Sequence, residues 1–566
     1  MKKAIYLLLT AALFIISGST TCYGKNDSGQ VKAFWADPDT RFETSVKPFT
    51  FSAWKGEKVN AAAMFRNDGN GGELSVTAGP LKCAAAGSQR CSLEDCVKVG
   101  LIFDVIGDEL LEQYNQCGAR DTVNYKSISV ADRIGNCSSA VIGPGESRPV
   151  WLSIRVPSDA APGKYSGVLT FSKDGAKVAE LPYSIKVVDR VLPPLSESPF
   201  HLDLWQNPYA VARFHNVPLW SKEHFEYLRP VMKMLADAGQ KVVTATIMNR
   251  PWAGQTEDPF GPMVTKIRRA DGSWIYDYTV FDMWVKFMFS LGIDSQINCY
   301  TLIPWALTFD YFDQASNRNE QVHAVPGSPE YEEYWGTFIK DFAAHLRANG
   351  WFDKTHIAMD ERPEESMKAA LALIKKIEPG FKVALAGNYH ESIADDIDDL
   401  CIAFGSRYPE GVIEKRRAAG KSSIYYTCCA EKYPNTFIAS IPSEASWLPW
   451  LALSRGEDGY LRWAFNSWTA KPLRDARFRS WAAGDCYMVY PNGESSVRFE
   501  KLVEGLQDYL KATILLNEWE DSGKAADRKK ADGLRKALER FSVEELGKNG
   551  PAPALQEARK ILNGKY

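Results

Sequence analysis

Between residues 200 and 515, short apolar segments alternate with amphipathic ones, and this alternation restricts the possible folds more than any other feature of the sequence. It predicts strands joined by helices, the pattern of a parallel sheet. Eight such units close a barrel, so the sequence predicts a (β/α)8 TIM barrel over residues 193–515. The predicted strands are 201–205, 241–248, 293–300, 355–359, 382–386, 400–404, 423–427 and 460–465. The predicted helices are 222–238, 280–291, 330–348, 363–377, 412–419, 443–454 and 496–515.

Residues 25–192 have a different pattern, with short strand-like segments separated by Gly, Asn and Asp. This pattern predicts an antiparallel β-sandwich domain. Its clearest part is 150–171, where Trp151, Ser153 and Arg155 alternate with apolar neighbours before a Pro-Gly turn, which we interpret as a hairpin. We expect this domain to support the barrel domain rather than to bind a ligand of its own. Three closely spaced prolines after residue 192 mark a linker.

The two ends of the chain are predicted to lie outside these domains. Residues 1–24 combine two lysines, an apolar run and a small-residue end, which is typical of a secretory signal peptide. The mature protein is therefore expected to be exported, either to the periplasm or out of the cell. Cys22 raises the alternative of a lipid anchor, which is disfavoured because Ser19 and Thr21 do not fit a lipobox. Residues 516–566 predict a C-terminal helical extension.

Composition argues against several kinds of partner. A net charge of -3 gives no indication of nucleic acid, and no apolar stretch after the leader is long enough to cross a bilayer. The histidines and cysteines show no metal-ligand spacing, so neither a metal nor another cofactor is expected. Eleven cysteines in an exported chain allow disulfides, although their pairing does not follow from the sequence. Five of them lie in the first third: Cys83, Cys91, Cys96, Cys117 and Cys137.

The segment THIAMDERPEE, residues 355–365, places two adjacent carboxyl groups at the end of a strand. Its apolar residues predict a strand that is buried on both faces, and Pro363 followed by two glutamates suits the first turn of a helix. Asp360 and Glu361 therefore follow the strand at the face where barrel enzymes build their active sites. An isolated pair of this kind is more often a helix cap and a solvated acid, so its surroundings decide the interpretation.

Those surroundings are rich in residues that bind sugars. Amides and phenols can bond hydroxyl and acetamido groups, and indoles offer flat faces for stacking. The residues after the predicted strands that we assign to substrate binding are Trp205, Gln206, Asn249, Tyr300, Trp305, Asn388, Tyr389, Tyr426, Trp463, Asn466 and Trp468. Among them, the three tryptophans Trp305, Trp463 and Trp468 are hypothesised to include a stacking platform.

Several long motifs resemble those of glycoside hydrolase family 123, the β-N-acetylgalactosaminidases. They are DLWQNPYAVARFHNVPLWS, YDYTVFDMWVKFMFSLGI with the following INCYTLIPW, HIAMDERP, and GYLRWAFNSW, and the resemblance extends over nearly the whole mature chain. It implies an exo-acting, retaining enzyme that releases terminal β-GalNAc from glycans or glycolipids. In that family the 2-acetamido oxygen of the substrate is the nucleophile. The resemblance therefore implies that Asp360 orients this group and that Glu361 is the general acid/base.

The spacing of the two acids agrees with that mechanism. A glycosidase with its own nucleophile needs two carboxyls about 5 to 5.5 Å apart, and an inverting enzyme needs about 6.5 to 9.5 Å. Neighbouring Cα atoms lie only about 3.8 Å apart on one strand end, so the two side chains flank a sugar awkwardly. An acetamide within the substrate would supply the missing nucleophile.

Two other interpretations remain open at this stage. The first is a barrel glycosidase of different specificity, in which Glu361 is the acid and a distant carboxylate, Glu444 or Asp203, is the nucleophile or base. The second is a non-catalytic glycan-binding protein that retains the aromatic residues. The intact Asp-Glu pair argues against the second.

Overall fold

The computed structural model describes residues 31–47, 49–83, 92–93, 95–110, 117, 126–479 and 481–564. The predicted signal peptide, the candidate lipid-anchor residue Cys22 and Cys91 lie outside these ranges. Within the ranges, no helix is both long and apolar enough to cross a membrane.

The N-terminal domain is rich in strands. They are β1 (Val31–Ala36), β2 (Thr50–Lys55), β3 (Lys58–Asn67), β4 (Gly72–Ala78), β5 (Leu81–Cys83), β6 (Ser92–Leu93), β7 (Val97–Asp108), β8 (Ser127–Ile134), β9 (Ser139–Ile142), β10 (Ser147–Arg155), β11 (Gly163–Lys173) and β12 (Ala176–Val191). One sheet contains β1-β3-β10-β7-β8 and the other β2-β12-β11-β4-β9, with β5 also pairing with β11. Alternate residues of both sheets contribute to one hydrophobic cluster.

The prediction of a hairpin over residues 150–171 is wrong. β10 lies in the first sheet and β11 in the second, so the Pro-Gly connection crosses between the sheets. Residues 156–162 are enough to span the roughly 10 Å between packed sheets, and Pro157 and Pro162 lack the N–H groups that ladder pairing needs. β11 instead forms a hairpin with β12. The domain is also not purely antiparallel, because β2 and β12 run parallel.

The C-terminal part is built around a parallel sheet of eight strands, in the order β13-β24-β23-β22-β21-β20-β17-β14. In chain order its elements are β13 (His201–Leu204), α1 (Pro208–His215), α2 (Lys222–Asp237), β14 (Val242–Thr246), β15 (Thr265–Arg268), β16 (Trp274–Asp277), α3 (Thr279–Ser290), β17 (Gln296–Tyr300), β18 (Thr308–Asp313), β19 (Arg318–His323), α4 (Pro329–Ala348), β20 (Thr355–Met359), α5 (Glu364–Ile377), β21 (Lys382–Gly387), β22 (Asp399–Ala403), α6 (Val412–Ala418), β23 (Ser422–Tyr426), α7 (Glu444–Arg455), β24 (Gly459–Arg462), β25 (Ser495–Ser496) and α8 (Val497–Asp521).

Serine caps explain where three of these helices begin. The hydroxyl oxygen of Ser221 accepts a hydrogen bond from the backbone of the residue three positions on, at 3.2 Å. Ser328 and Ser496 do the same at the starts of α4 and α8. Each cap satisfies one of the amide groups that the first turn of a helix leaves without a partner.

The fifth strand–helix unit differs from the prediction of eight complete units. Between β21 and β22 the chain forms only a short 3-10 turn, Ala394–Asp396. Its apolar residues Ile393, Ala394 and Ile397 are buried by this turn without a full α-helix.

The barrel is nearly closed, and two glutamine side chains complete the seam between β13 and β14. Leu202 of β13 forms one parallel bridge with Gln240, which lies two residues before β14. Gln240 accepts from the Leu204 amide at 2.9 Å and donates to the Val242 carbonyl at 2.7 Å. Gln206 accepts from the Thr244 amide at 2.9 Å and donates to Val242 at 3.2 Å. The side-chain amides thus take the place of missing ladder bonds.

A second, smaller sheet lies beside the barrel, where a long loop was expected after the second strand. Its order is β16-β15-β18-β19, so it combines strands from two separate connections of the barrel. β15 pairs in parallel with β18, and β18 begins shortly after Trp305.

The C-terminal helices pack against both domains. After α8 the chain forms α9 (Ala525–Leu538), α10 (Val543–Asn549) and α11 (Ala552–Leu562). β25 adds to the N-terminal sheet by pairing with β8. Just beyond it, Arg498 forms a buried ion pair with Asp132 at 3.1 Å, so charge pairing as well as apolar contact joins the two parts.

Candidate active site

The two predicted catalytic carboxyls lie at the end of β20 but in different environments. All five residues of β20 are buried, which fixes the strand and the direction of the residues that follow it. The amide of Arg362 bonds the carbonyl of Asp360 at 2.7 Å, so the chain turns sharply between β20 and α5. Asp360 is 6% exposed, whereas the adjacent Glu361 is exposed.

Asp360 is contacted by an indole and a guanidinium group. Trp305 Nε1 donates to Asp360 Oδ2 at 2.8 Å, and Arg362 Nε lies 3.3 Å from Oδ1. Within the described part of the chain, Oδ1 accepts no hydrogen bond. Burial raises the pKa of Asp360 to about 6, although the positive charge of Arg362 and the Trp305 hydrogen bond oppose the rise.

Glu361 is held by a phenol from another strand. The hydroxyl of Tyr426, the last residue of β23, donates to Glu361 Oε1. Burial raises the pKa of Tyr426 far above its ordinary value, and the negative charge of Glu361 adds to the effect, so the phenol remains a donor. The backbone of Gly387 at the end of β21 also approaches Glu361, since a Cβ there would lie 3.5 Å from its Cα.

An aromatic cluster occupies the same end of the barrel. Trp205 stacks on Trp252 with ring centroids 4.9 Å apart, and Tyr300 lies 4.6 Å from Trp205. Tyr426 belongs to the same hydrophobic cluster, and Trp463 packs against it. Trp205, Trp252 and Trp463 also line a small cavity. The predicted residues Trp205, Tyr300, Tyr426 and Trp463 are therefore brought together.

Trp305 differs from these rings in its exposure. It is 46% exposed, and its edge holds Asp360 through the indole N–H. Its backbone amide bonds Pro251 at 3.1 Å, which joins the connection after β17 to the one after β14. An exposed indole fixed beside a buried carboxyl is well placed to contact a ligand.

The three predicted residues Asn249, Asn388 and Tyr389 lie at other strand ends. Asn249 is half-buried and donates to Asp310 on β18 at 2.7 Å. Asn388 is exposed, and the half-buried ring of Tyr389 lies 6.1 Å from that of Tyr408. The structure shows no contact that joins Asn388 or Tyr389 to Asp360 within the described residues.

Three other predicted residues are fully buried, with their polar groups bonded inside the protein. Gln206 joins β13 to β14 as described above. Asn466 exchanges two hydrogen bonds with the backbone of Asn207, at 2.8 and 2.9 Å. Trp468 donates its indole N–H to the Val489 carbonyl at 2.8 Å. These contacts position the connections around the barrel.

The alternative carboxylates are buried and accept hydrogen bonds inside the protein. Asp203 is completely buried within the barrel, where Trp205 Nε1 donates to it at 3.3 Å, and burial raises its pKa to about 7. Glu444 at the start of α7 accepts from the backbone amides of Asn435 and Ile441 at 3.0 and 3.1 Å. Both carboxylates therefore accept hydrogen bonds from groups inside the protein.

Sequence analysis missed three features of this end of the barrel. Arg362 was overlooked although it directly follows the carboxyl pair. Trp252 lies in a loop, where no helix or strand periodicity indicates which way its side chain points. Cys429 forms a disulfide with Cys117 in the N-terminal domain, and the thiol of Cys428 lies within 4.8 Å of both sulfurs. The adjacent cysteines were visible in the sequence, but their partner is 312 residues away.

The fold and the site together define a barrel enzyme with paired carboxyl groups and an aromatic floor at its strand ends. The family model of the glycoside hydrolase 123 catalytic domain matches residues 205–515, and that of the glycoside hydrolase 123 N-terminal domain matches residues 35–173. The chain therefore belongs to glycoside hydrolase family 123.

A solved structure agrees with this assignment. A family 123 glycoside hydrolase from Clostridium perfringens, described in connection with glycolipid glycan hydrolysis, is 25% identical and matches with a TM-score of 0.83 over 94% of this chain and 98% of that one. A Bacteroides ovatus GH5 xyloglucanase is 10% identical over 84% of this chain and 100% of its own, but its TM-score of 0.29 is too low to indicate a common fold. Among curated proteins, none matches the sequence significantly.

Proposed function

We propose that the protein is an exo-acting, retaining β-N-acetylgalactosaminidase that removes terminal β-GalNAc from glycans or glycolipids. In this proposal the 2-acetamido oxygen attacks the anomeric carbon and forms a bicyclic oxazolinium-like intermediate. Water then opens the intermediate, and two displacements leave the β configuration unchanged. The glycolipid glycans associated with the Clostridium perfringens structure motivate the substrate class.

The observation that carries this proposal is the different environment of the two adjacent acids. Asp360 Oδ2 is occupied by Trp305, whereas the buried Oδ1 accepts no hydrogen bond from the described residues. Although Arg362 Nε lies 3.3 Å from Oδ1, this oxygen accepts no such hydrogen bond and is suited to accept the N–H of an acetamido group. Its negative charge would also stabilise the positive charge of the intermediate.

The exposed acid is suited to proton transfer. Glu361 reaches solvent, and Tyr426 orients one of its oxygens. In the first step Glu361 would protonate the departing glycosidic oxygen, and in the second it would take a proton from the attacking water. A shared strand end gives no room for a protein nucleophile on the opposite face of the sugar, which the acetamide replaces.

The burial of the alternative carboxylates supports the same choice. A nucleophile or base must reach the anomeric carbon or a water beside it, whereas Asp203 and Glu444 are buried and bonded to other groups. A glycan-binding protein without activity would have no need for an exposed acid next to a buried one.

Substrate analogues test this proposal directly. The enzyme should hydrolyse aryl β-GalNAc faster than aryl β-GlcNAc and should leave an aryl β-galactoside intact, because the galactoside lacks the reacting acetamide. NMR of the fresh product should show the β anomer first. Appearance of the α anomer first would rule out the acetamide mechanism.

Two variants separate the roles of the acids. Glu361→Gln should lose about 10² to 10⁴ in rate on substrates with poor leaving groups and much less on good ones, since departure then needs little protonation. A thiazoline mimic of the intermediate should inhibit strongly, and Asp360→Asn should weaken that inhibition because the complementary anion is lost. Near wild-type hydrolysis of a poor leaving group by Glu361→Gln would exclude Glu361 as the acid.

We also propose that the mature protein works outside the cytoplasm, in the periplasm or beyond the cell. The Cys117–Cys429 disulfide supports this proposal, because such bonds persist in oxidising compartments. Cell fractionation with an antibody to the barrel tests it, and labelling with radioactive palmitate tests the alternative of a lipid anchor on Cys22.

A further inference from the structure

We propose that Arg362 is a positioning residue, which keeps Asp360 ionised and fixes the indole of Trp305 at its side. The inference rests on the proposed function, because it assigns a role in the reaction that Asp360 performs. Arg362 itself contacts neither the sugar nor the reacting atoms in this proposal.

Three contacts form a closed triangle around the buried acid. Arg362 Nε lies 3.3 Å from Asp360 Oδ1, and Trp305 Nε1 donates to Oδ2 at 2.8 Å. The guanidinium carbon of Arg362 lies 3.9 Å from the centroid of the Trp305 ring. Each member therefore touches the other two, so a displacement of one disturbs both remaining contacts.

The type of residue matters as much as its position. A guanidinium is planar and stays charged, so it can stack on an indole while its edge faces a carboxylate. Its charge offsets the cost of burying an anion, and its flat face limits the rotation of a ring that is 46% exposed. Lysine could supply the charge but not the stacked geometry.

Of the described groups around Asp360, Arg362 is the one whose positive charge stabilises the ionised carboxylate. Burial acts to protonate Asp360, and the neighbouring Glu361 acts in the same direction. The Tyr300 phenol on β17 faces Asp360 but stays neutral, since burial raises its pKa well above the ordinary value. The indole N–H of Trp305 favours the anion without carrying charge. Among the described groups that act on Asp360, Arg362 is the cation.

The test is the pH profile of kcat/KM for aryl β-GalNAc. In the wild type the acid limb should lie near pH 6, where Asp360 becomes protonated. Arg362→Met removes the charge, so the limb should move up by about one pH unit. Arg362→Lys retains the charge and should keep the limb within about 0.3 units of wild type, while the loss of stacking raises the inhibition constant of the thiazoline mimic.

A matched control exists elsewhere in the chain. Arg347 also lies 3.9 Å from an aromatic centroid, that of Phe352, and pairs with Glu378 at 2.8 Å, but it is on α4 away from the site. Arg347→Met should leave the acid limb unchanged. Arg362→Gln, which retains a polar end, serves as the second uncharged variant if Arg362→Met does not fold.

The pH profiles of the Arg362 variants decide whether Arg362 has this positioning role. A shifted limb in the uncharged variants and an unshifted limb in Arg362→Lys support the positioning role. An unshifted limb in the uncharged variants overturns it, and so does an equal shift in Arg362→Lys. If the wild type hydrolyses no aryl β-N-acetylhexosaminide, the proposed function fails instead, so the two failures are distinguishable.

Discussion

Replacing Tyr426 by Phe would remove the hydroxyl that holds Glu361 and leave the ring in the aromatic cluster. Tyr426 is 7% exposed, so its ring is fixed by packing, and its hydroxyl donates to Glu361 Oε1. A hydrogen bond to a charged group contributes about 1.5 to 3 kcal/mol, and each 1.4 kcal/mol corresponds to a factor of ten. Because water can reach the exposed Glu361 and replace part of this bond, we expect kcat/KM to fall by about 10- to 30-fold.

Adjacent Tyr425 provides the matched control. It lies on the same strand, and its hydroxyl donates to the Leu448 carbonyl of α7 at 2.8 Å, away from the acid. Tyr425→Phe also deletes one buried phenol hydroxyl, so it should lower the melting temperature and leave kcat/KM within about twofold of wild type.

A double-mutant cycle tests whether Tyr426 acts through the acid. In a Glu361→Gln background, measured on an aryl glycoside with a good leaving group, Tyr426→Phe should cost little more, because the group that it positions can no longer transfer a proton. Fully additive losses, or a Tyr426→Phe variant with wild-type kcat/KM, would contradict the proposed link between the phenol and Glu361.

Three further predictions concern other parts of the site. Burial raises the pKa of Asp360 to about 6, so kcat/KM should fall as the pH drops through 6, and a profile that stays flat down to pH 5 would oppose a role for the Asp360 anion. Trp305→Phe should weaken thiazoline binding by about 1 to 3 kcal/mol through loss of the hydrogen bond to Asp360, measured as an inhibition constant. Cys117→Ser should lower the free energy of unfolding by up to about 5 kcal/mol in denaturant titration, since the disulfide joins residues 312 positions apart. Cys117 is the residue to replace because Cys428 lies close enough to pair with Cys117 in place of Cys429.

The position of the two adjacent acids could be predicted from the sequence because local signals agree there. An apolar run long enough for one strand ends at Asp360, and a proline with two acids starts a helix three residues later. Few alternative structures satisfy both signals, so the position of the acids at a strand end follows directly. The resemblance to family 123 in the same segment was confirmed by the family match.

Contacts between distant segments could not be predicted in this way. β15 pairs with β18, some forty residues further on, and each strand alone has only four to six residues. The Pro-Gly signal at the start of β11 is compatible with a hairpin or with a crossing between sheets, and only the packing of the two sheets selects the crossing. Gln206 follows a strand as expected, but its side chain points into the seam between β13 and β14. The spacing of residues in the sequence does not predict this direction.

The position of the acid Glu361 depends on a loop that the N-terminal domain helps to hold. Tyr426 ends β23, and Cys429, three residues later, is bonded to Cys117 of that domain. From the other side, fully buried Arg462 on β24 bonds the Asn435 side chain of the same connection at 2.8 Å. The connection is thus fixed both to the neighbouring strand and across the domains, so the N-terminal domain helps to hold the loop that follows Tyr426, the residue bonded to Glu361.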